Sequence, residues 1–340
     1  MNKMDLKSIM QSYLRPSQDL LNDMSKIKGD ILLLGAGGKM GPAMAKLAID
    51  AIKELGLNKK ILAASRFSDT EVLRELNDYG VQTIQVNLLK DNELNSLPDI
   101  ENVIYLAGTK FGTSGSESYT WAMNTYLPGK VAEKFNKSNI VVFSSGNVYP
   151  LSPVVHGGMT ESMNAEPLGE YAQSCLGRER MFQHFSKENN TPVLIYRLNY
   201  ANDVTYGILL EIAKSVYENK EIDLTMGNVN VIWQGDANEI ALRALLHCTS
   251  PARILNVTGP ETVSVRWLAG EFGKLMNKKP LYTGEEASDA LLSNAGECFK
   301  LFGYPKISLK KMIELIGRWV VEGGQTINKP TYFQERKGKF

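Results

Sequence analysis

The sequence has few of the residues that build disulfide frameworks, metal sites or membrane spans. Its 340 residues include only three cysteines and three histidines, and neither set has the close spacing of metal ligands. No apolar run reaches the length of a membrane-spanning helix, and the polar N-terminus lacks the apolar core of a signal peptide. The formal net charge is +1, so the charge balance indicates no nucleic acid and no anionic membrane as partner. We therefore expect a cytoplasmic enzyme or binding protein without a metal.

The order of apolar segments predicts the fold. Hydrophobic residues make up 43% of the chain and charged residues 22%, as in ordinary globular proteins. From residue 30 to 198, short apolar runs suited to buried strands alternate with segments of helical periodicity. This alternation predicts an α/β protein with a doubly wound parallel sheet covered by helices on both faces. The predicted strands cover residues 30–34, 61–64, 81–86, 103–107, 140–144 and 193–198, and the main predicted helices cover 42–55, 70–79, 116–137 and 169–187.

A glycine-rich turn follows the first predicted strand. Gly35, Gly38 and Gly41 are three residues apart, with Lys39 and Met40 between the last two. A dinucleotide-binding turn needs one glycine for the tight bend, one where backbone meets pyrophosphate, and one where helix and strand pack closely. The following helix N-terminus offers N–H groups and a positive dipole end to the phosphates. We predict a Rossmann-type dinucleotide-binding fold, while a glycine turn without a ligand has the same local pattern.

The end of the second strand bears on the choice of cofactor. Ser65 and Arg66 stand where enzymes that prefer NAD usually place an acidic residue for the ribose 2′-hydroxyl. A guanidinium pairs well with phosphate because its fork matches the phosphate oxygens. The pattern favours the 2′-phosphorylated cofactor; the alternative is that Arg66 is a solvated surface charge.

Changes of pattern along the chain divide it into four parts. Residues 1–28 form an N-terminal preamble, with a short helix that Ser17 caps and that ends at Met24. Residues 29–201 form the dinucleotide-binding domain. Residues 202–322 form mainly a smaller substrate-binding region, in which 256–276 has the pattern of a strand, a turn and a helix. The polar tail 323–340 is expected to be irregular.

Further segments resemble the extended short-chain dehydrogenase/reductase family, which includes sugar-nucleotide epimerases, dehydratases and reductases. Residues 103–108 resemble the strand beneath the adenosine, and 141–149 the strand that ends in the active-site serine. Tyr171, Ser174 and Glu179 resemble the helix of the catalytic tyrosine, and 197–201, 234–237, 256–259 and 301–305 resemble later segments. The resemblance implies Ser145 and Tyr171 as catalytic residues. The end of the second strand predicts NADP as the preferred cofactor, with NAD as the alternative. The cofactor-binding residues that the pattern and the resemblance together predict are Gly35, Gly38, Lys39, Met40, Gly41, Ser65, Arg66, Asn87, Leu88, Leu106, Ala107, Gly108, Asn124, Ser144, Tyr171 and Asn199.

One position departs from the family pattern. The family has a lysine four residues after the tyrosine, and this chain has Cys175. A nearby cation lowers the pKa of a tyrosine, which is otherwise near 10, and a neutral thiol cannot do so. Three interpretations follow. Another cation, Lys110 or Arg178, substitutes; or the chemistry uses His156 or Glu161 instead; or the protein binds cofactor without turnover.

These features predict an NAD(P)-dependent oxidoreductase or epimerase that acts by hydride transfer on a small sugar-like substrate. The sugar is implied by the resemblance alone. The alternative is a cofactor-binding regulatory or scaffold protein that has lost turnover. The resemblance also implies a homodimer through the helices that carry Asn124 and Tyr171. Candidate substrate contacts are Lys110, Asn147, His156 and Trp233.

Overall fold

A seven-stranded parallel sheet forms the centre of the protein. The computed structural model describes residues 14–110 and 115–339. The strands are β1 (Ile31–Leu34), β2 (Ile61–Ser65), β3 (Gln82–Gln85), β4 (Asn102–Tyr105), β5 (Asn139–Ser145), β6 (Val193–Leu198) and β7 (Arg253–Val257), in the spatial order β7-β6-β5-β4-β1-β2-β3. All the pairings are parallel, so every strand ends at the same edge. The order reverses between β1 and β4, which is where ligands bind in open α/β sheets.

Helices cover both faces of the sheet. In chain order they are α1 (Gln18–Met24), α2 (Gly41–Leu55), α3 (Thr70–Tyr79), α4 (Asp91–Asn95), α5 (Glu117–Trp121), α6 (Leu127–Lys134), α7 (Gly169–Asn189), α8 (Ile208–Tyr217), α9 (Gln234–Arg243), α10 (Val265–Met276), α11 (Gly296–Phe302) and α12 (Leu309–Val321). The central strands are almost entirely apolar and buried, for example all four residues of β1, because helices exclude water from both faces. The predicted Rossmann-type doubly wound fold is confirmed.

The region after residue 201 builds a second core. Apolar residues of α8, α10 and α12 pack together with short segments between them, and Val204, Phe272 and Leu315 are fully buried there. Among the described residues, four pairs of short strands hold the loops of this region. They are Ser152–Pro153 with Asp289–Ala290, Ala201–Asn202 with Ile232–Trp233, Glu221–Asp223 with Leu281–Thr283, and Asn228–Val229 with Val263–Ser264. The chain also returns to the main sheet to add β7.

The structure differs from the sequence prediction at two elements. The helix predicted over 116–137 is divided into α5, a π-helical turn (Ala122–Tyr126) and α6. The strand predicted to begin at residue 256 begins at Arg253 and belongs to the main sheet rather than to the substrate region alone. Periodicity did not reveal the pairing of β7 with β6, because the two strands are separated by more than fifty residues of chain. No helix of the described residues is long and apolar enough to cross a membrane, and they contain no cluster of three His, Cys, Asp or Glu side chains that could hold a metal.

The C-terminal tail has no helix or strand through residue 339, but it is packed against the body. Phe333 is buried in the second core. The Thr331 hydroxyl donates to Glu211 on α8 at 2.6 Å, and Arg336 donates to the carbonyl oxygen of Asp289 at 3.0 Å. These contacts hold residues 329–331 against the carboxyl edge of the sheet.

Candidate functional site

The glycine turn between β1 and α2 is shaped by close backbone approaches. Gly35 has φ +88°, and a Cβ there would lie 2.6 Å from the backbone nitrogen of Ala107. A Cβ on Gly41 would collide with the carbonyl group of Ala36, so this glycine lets the helix pack against the turn. Around Gly38, in contrast, only the carbonyl oxygen of Gly35 lies within 4 Å of the Cβ position. Gly38 therefore leaves space for a ligand, and α2 begins beside it without a side-chain cap, as a phosphate site requires.

A crevice runs from this turn along the carboxyl ends of β1, β2, β3 and β4. None of its described lining residues is acidic, and Arg66 and Lys329 are basic. Arg66 is exposed, and its guanidinium donates to the Tyr119 hydroxyl at 3.4 Å. The crevice is lined by Gly35, Gly37, Gly38, Ser65, Arg66, Phe67, Ser68, Val86, Asn87, Leu88, Leu89, Leu106, Ala107, Gly108, Met123 and Lys329.

A second cavity lies on the other side of the glycine turn, beyond the ends of β5 and β6. Two of its lining residues, Lys39 and Met40, come from the turn itself, and Thr331 comes from the C-terminal tail. The turn thus lies between the crevice and the cavity, where a pyrophosphate joins the two halves of a dinucleotide. The cavity is lined by Lys39, Met40, Lys110, Ser144, Ser145, Asn147, Tyr171, Leu198, Asn199, Tyr200, Ala201, Tyr206, Gly207, Ile208 and Thr331.

Ser145 and Tyr171 meet in this cavity. Ser145 is the last residue of β5, and its hydroxyl donates to the Asn147 side chain at 2.9 Å and accepts from the Asn147 backbone at 3.1 Å. Tyr171 lies in the first turn of α7, and hydrogen bonding to Ser145 lowers the pKa of its phenol, whereas burial raises that pKa by a larger amount. The net shift is upward, so the phenol is protonated at neutral pH and can donate a proton. Two hydroxyl groups therefore converge beside the predicted cofactor turn.

The comparisons with known proteins agree with this geometry. Residues 31–222 match the model of the NAD dependent epimerase/dehydratase family. The chain belongs to the NAD-dependent epimerase/dehydratase family. This span includes the glycine turn, Ser145 and Tyr171. No match is found among curated proteins.

Solved structures show the same fold at low sequence identity. A mutant of UDP-glucuronic acid 4-epimerase from Bacillus cereus, in complex with UDP-4-deoxy-4-fluoro-glucuronic acid and NAD, has a TM-score of 0.73 at 17% identity. The alignment covers 86% of this chain and 99% of that one. UDP-glucose 4-epimerase from Thermotoga maritima, with UDP-glucose, has a TM-score of 0.69 at 15% identity, with the same coverage of 86% and 99%.

In this member of the epimerase/dehydratase family, the position four residues after Tyr171 carries no charge. Cys175 is fully buried in a small cluster with Val148 and Tyr149, and burial raises the pKa of its thiol. The thiol therefore stays neutral, and any cation at the reacting centre must come from outside this position.

Three cations lie near the reacting side chains. The Lys110 ammonium, from the loop after β4, is 5.9 Å from the centroid of the Tyr171 ring and donates to the Thr331 carbonyl oxygen at 3.2 Å. The Lys39 ammonium lies 3.7 Å from the centroid of the Tyr206 ring and donates to the Ala201 carbonyl oxygen. Desolvation lowers the pKa of each lysine to about 8.

Arg178 is the third cation, and it lies beneath the loop rather than in the cavity. Its guanidinium donates to the Phe143 carbonyl oxygen at 2.7 Å and to the Asn124 side chain at 2.9 Å. Its charge lowers the pKa of Tyr171. A Cβ on Gly108 would lie 2.5 Å from the guanidinium. The position of Arg178 therefore requires a glycine here, at a residue that also lines the crevice.

Asn124, a predicted cofactor-binding residue, lies behind the loop that follows β4. It lies in the π-helical turn, fully buried, and lines neither the crevice nor the cavity. Its amide donates to the Thr109 carbonyl oxygen and to the Ser174 hydroxyl, and its oxygen accepts from the Thr109 backbone and from Arg178. Asn124 therefore fixes the loop that carries Lys110, and a direct cofactor contact stays a prediction.

The structure places the remaining predicted residues outside the cavity. His156 is exposed on a short 3-10 turn, and Glu161 accepts from the Asn256 backbone at 2.8 Å. Trp233 is buried in the second core. None of the three lines the cavity, because the loop after β5 turns toward Asn256 and residues 288–294 instead. Their roles in substrate contact or catalysis stay predictions.

Sequence reasoning did not include seven lining residues of the cavity among the site residues, and Tyr200, Tyr206 and Thr331 are three of them. Tyr200 directly follows the predicted strand-end residue Asn199 and has φ +48°, a conformation that the sequence does not reveal. Thr331 lies in a tail with no periodic pattern, so only its hydrogen bonds to Glu211 identify its place.

Proposed function

We propose that this protein is an NAD(P)-dependent epimerase, or a related oxidoreductase, that acts on a sugar nucleotide by hydride transfer. The observation that carries the proposal is the meeting of Ser145 and Tyr171 in a cavity beside the glycine turn. The ligands named for the two similar structures, a UDP-sugar in each and NAD in one, support the substrate class and the cofactor class. The low identity leaves the individual sugar open to experiment.

The residues fit a nicotinamide dinucleotide. The space beside Gly38 and the uncapped start of α2 suit a pyrophosphate, and the crevice suits the adenosine half. We infer that NADP is preferred, because Arg66 and Ser65 line the crevice and none of the described lining residues is acidic. NAD is the alternative.

The residues in the cavity divide the chemistry between them. A bound nicotinamide would accept and return the hydride. Ser145, fixed by Asn147, orients the substrate oxygen by a hydrogen bond. The ionised form of Tyr171, its phenolate, takes the proton from that oxygen when the carbon is oxidised, and the resulting phenol returns it when the carbon is reduced. Burial opposes the first of these steps because it raises the pKa of the phenol, so the site needs a positive charge.

The proposed function is tested with purified protein, NAD and NADP, and a panel of UDP-sugars. We expect one nucleotide to bind and at least one sugar to be interconverted, as followed by NMR of the sugar and by nicotinamide absorbance. Tyr171→Phe should lower kcat by a factor of about 100 or more, since general acid–base catalysis contributes roughly that factor. Tyr282→Phe removes a hydroxyl from a half-buried tyrosine of the second region, outside the cavity, and should leave kcat unchanged.

A second candidate function is supported by Cys175. A protein that binds cofactor as a regulator or scaffold does not need the lysine that the family places there. Tight binding of NADP or NAD, without turnover across the panel, would favour this candidate. The absence of any binding would contradict both candidates.

We also infer a homodimer. An apolar groove runs between the segment 121–133 and α7, and it includes Trp121, Tyr126, Gly129, Met181 and Phe185. Tyr126 is 60% exposed in the single chain. These are the helices through which the resemblance predicts dimerisation, so a second copy of this chain is the occupant that we propose for the groove.

A further inference from the structure

We propose that Lys110 supplies the positive charge of the reacting centre that helix α7 does not supply at Cys175. Lys110 would contact the nicotinamide ribose of the bound cofactor and stabilise the Tyr171 phenolate. This inference rests on the proposed function, because it assigns a residue to the same cavity. It assigns the role to a different part of the chain, the loop that follows β4.

The position of Lys110 carries the first part of the argument. Its side chain lines the cavity together with Ser145 and Tyr171, and its ammonium is 5.9 Å from the centroid of the Tyr171 ring. A cation within a few ångströms favours the ionised form of a tyrosine. Lys110 therefore lies beside the group that a lysine at position 175 would otherwise control.

The other two nearby cations do not lie over the Tyr171 ring inside the cavity. Lys39 lies against the Tyr206 ring and the Ala201 carbonyl group, on the side of the glycine turn. Arg178 stabilises phenolate through its field, but its guanidinium is bound to Phe143 and Asn124 and is absent from the cavity lining. Among the described residues that line the cavity, the lysines are Lys39 and Lys110, and only Lys110 lies over Tyr171.

Two contacts hold the Lys110 loop and its ammonium in place. Asn124 binds both backbone groups of Thr109, the residue before Lys110. On the other side, the Thr331 carbonyl oxygen accepts from the ammonium, and the Thr331 hydroxyl donates to Glu211. The Glu211 carboxylate also favours the protonated form of Lys110. Asn124, Thr331 and Glu211 are thus positioning residues for a cation in the cavity.

The test removes the lysine at position 110 and introduces a lysine at position 175, separately and together. Lys110→Met, Lys110→Arg, Cys175→Lys and the double variant Lys110→Met/Cys175→Lys are compared with the natural protein. Affinity for NADPH and NADH is measured by nucleotide fluorescence, and turnover is measured with any UDP-sugar that the natural protein converts. Lys274→Met is the matched control, because it removes the same charge at an exposed side chain of α10 that pairs with Glu271. Thermal unfolding identifies the variants that are folded.

We expect Lys110→Met to weaken binding of the nucleotide by a factor of about 10 or more, as for the loss of a charge-assisted hydrogen bond. Lys110→Arg should lose less than Lys110→Met, and the double variant should recover affinity because a lysine stands again beside Tyr171. A purely structural role for Lys110 would not be restored by a lysine at position 175. If the double variant does not fold, the inference is tested by the difference in nucleotide affinity between Lys110→Arg and Lys110→Met.

Two outcomes would overturn the inference while the proposed function stands. One is a Lys110→Met protein that binds nucleotide as the natural protein does. The other is a folded double variant that is no better than Lys110→Met. If the natural protein binds neither nucleotide, the proposed function fails first, and the two failures are thereby distinguished.

Discussion

Glu179 joins the strand ends that carry the reacting side chains. It lies on α7, two turns after Tyr171, and accepts from Arg197 on β6 at 2.6 Å and 2.9 Å and from Ser144 on β5 at 2.6 Å. The side chains of Glu179 and Arg197 are 0% and 3% exposed. A buried pair of this kind adds little net stability, but removing one partner leaves an uncompensated charge.

We therefore expect Glu179→Gln to lower the free energy of unfolding by about 3–5 kcal/mol, measured by urea denaturation. The control is Glu286→Gln in the exposed pair of Glu286 with Arg266, which should cost less than about 1 kcal/mol. Equal effects at the two positions would show that the buried pair does not hold the strand ends.

Lys39 gives the stability a dependence on pH. Desolvation lowers the pKa of its ammonium from 10.5 to about 8 in the folded protein. Between these pH values the unfolded chain carries a proton on Lys39 that the folded protein has lost. The unfolded state then binds more protons, so the stability of the natural protein rises with pH across this window.

Lys39→Met removes this contribution. The free energy of unfolding of the cofactor-free natural protein, relative to Lys39→Met, should increase between pH 8 and pH 10. Denaturant curves at several pH values measure it, and the difference between the two proteins cancels the titrating groups that do not interact with Lys39. A difference that is constant or falls over this window would contradict the lowered pKa.

At the scale of elements, the π-helical turn between α5 and α6 places Asn124 where all four of its hydrogen bonds are made within the protein. Asn124→Ala would leave both backbone groups of Thr109 and one N–H group of Arg178 without this partner. We expect a loss of about 3 kcal/mol or more, since each buried polar group left unpaired costs about 1–3 kcal/mol. Asn77→Ala, at an exposed asparagine on α3, should cost less than about 0.5 kcal/mol. Urea denaturation measures the loss of unfolding free energy in each variant, and equal losses would contradict the role of Asn124.

The elements that sequence predicts well are those whose ends are set locally. Helix α3 has the predicted bounds, because Asp69 caps its start and Gly80, with φ +98°, ends it. The π-helical turn escaped prediction because it depends on partners at Thr109 and on α7, far away along the chain. The same reason explains Thr331, whose hydrogen-bond partner Glu211 is 120 residues distant.

At the scale of the whole molecule, alternation of strands and helices was sufficient to predict the doubly wound sheet and the site at its carboxyl edge. The resemblance to the family predicted Ser145 and Tyr171 as the catalytic pair at that edge. The source of the cation could not be predicted in the same way. Lys110 reaches Tyr171 only because Asn124 on one side and the C-terminal tail on the other hold it there.

The proposed dimer is a property of the whole molecule, and two exposed tyrosines test it. Tyr126 is 60% exposed in the apolar groove, and Tyr304 is 72% exposed after α11, outside that groove. We expect the natural protein to have the molar mass of two chains by light scattering and Tyr126→Asp to shift it toward one chain, because a carboxylate placed between the two surfaces loses its water. Tyr304→Asp makes the same change of size and charge and should leave the mass at two chains. A natural protein with the mass of one chain at all concentrations would contradict the dimer, and equal dissociation by both variants would place the interface elsewhere than in the groove.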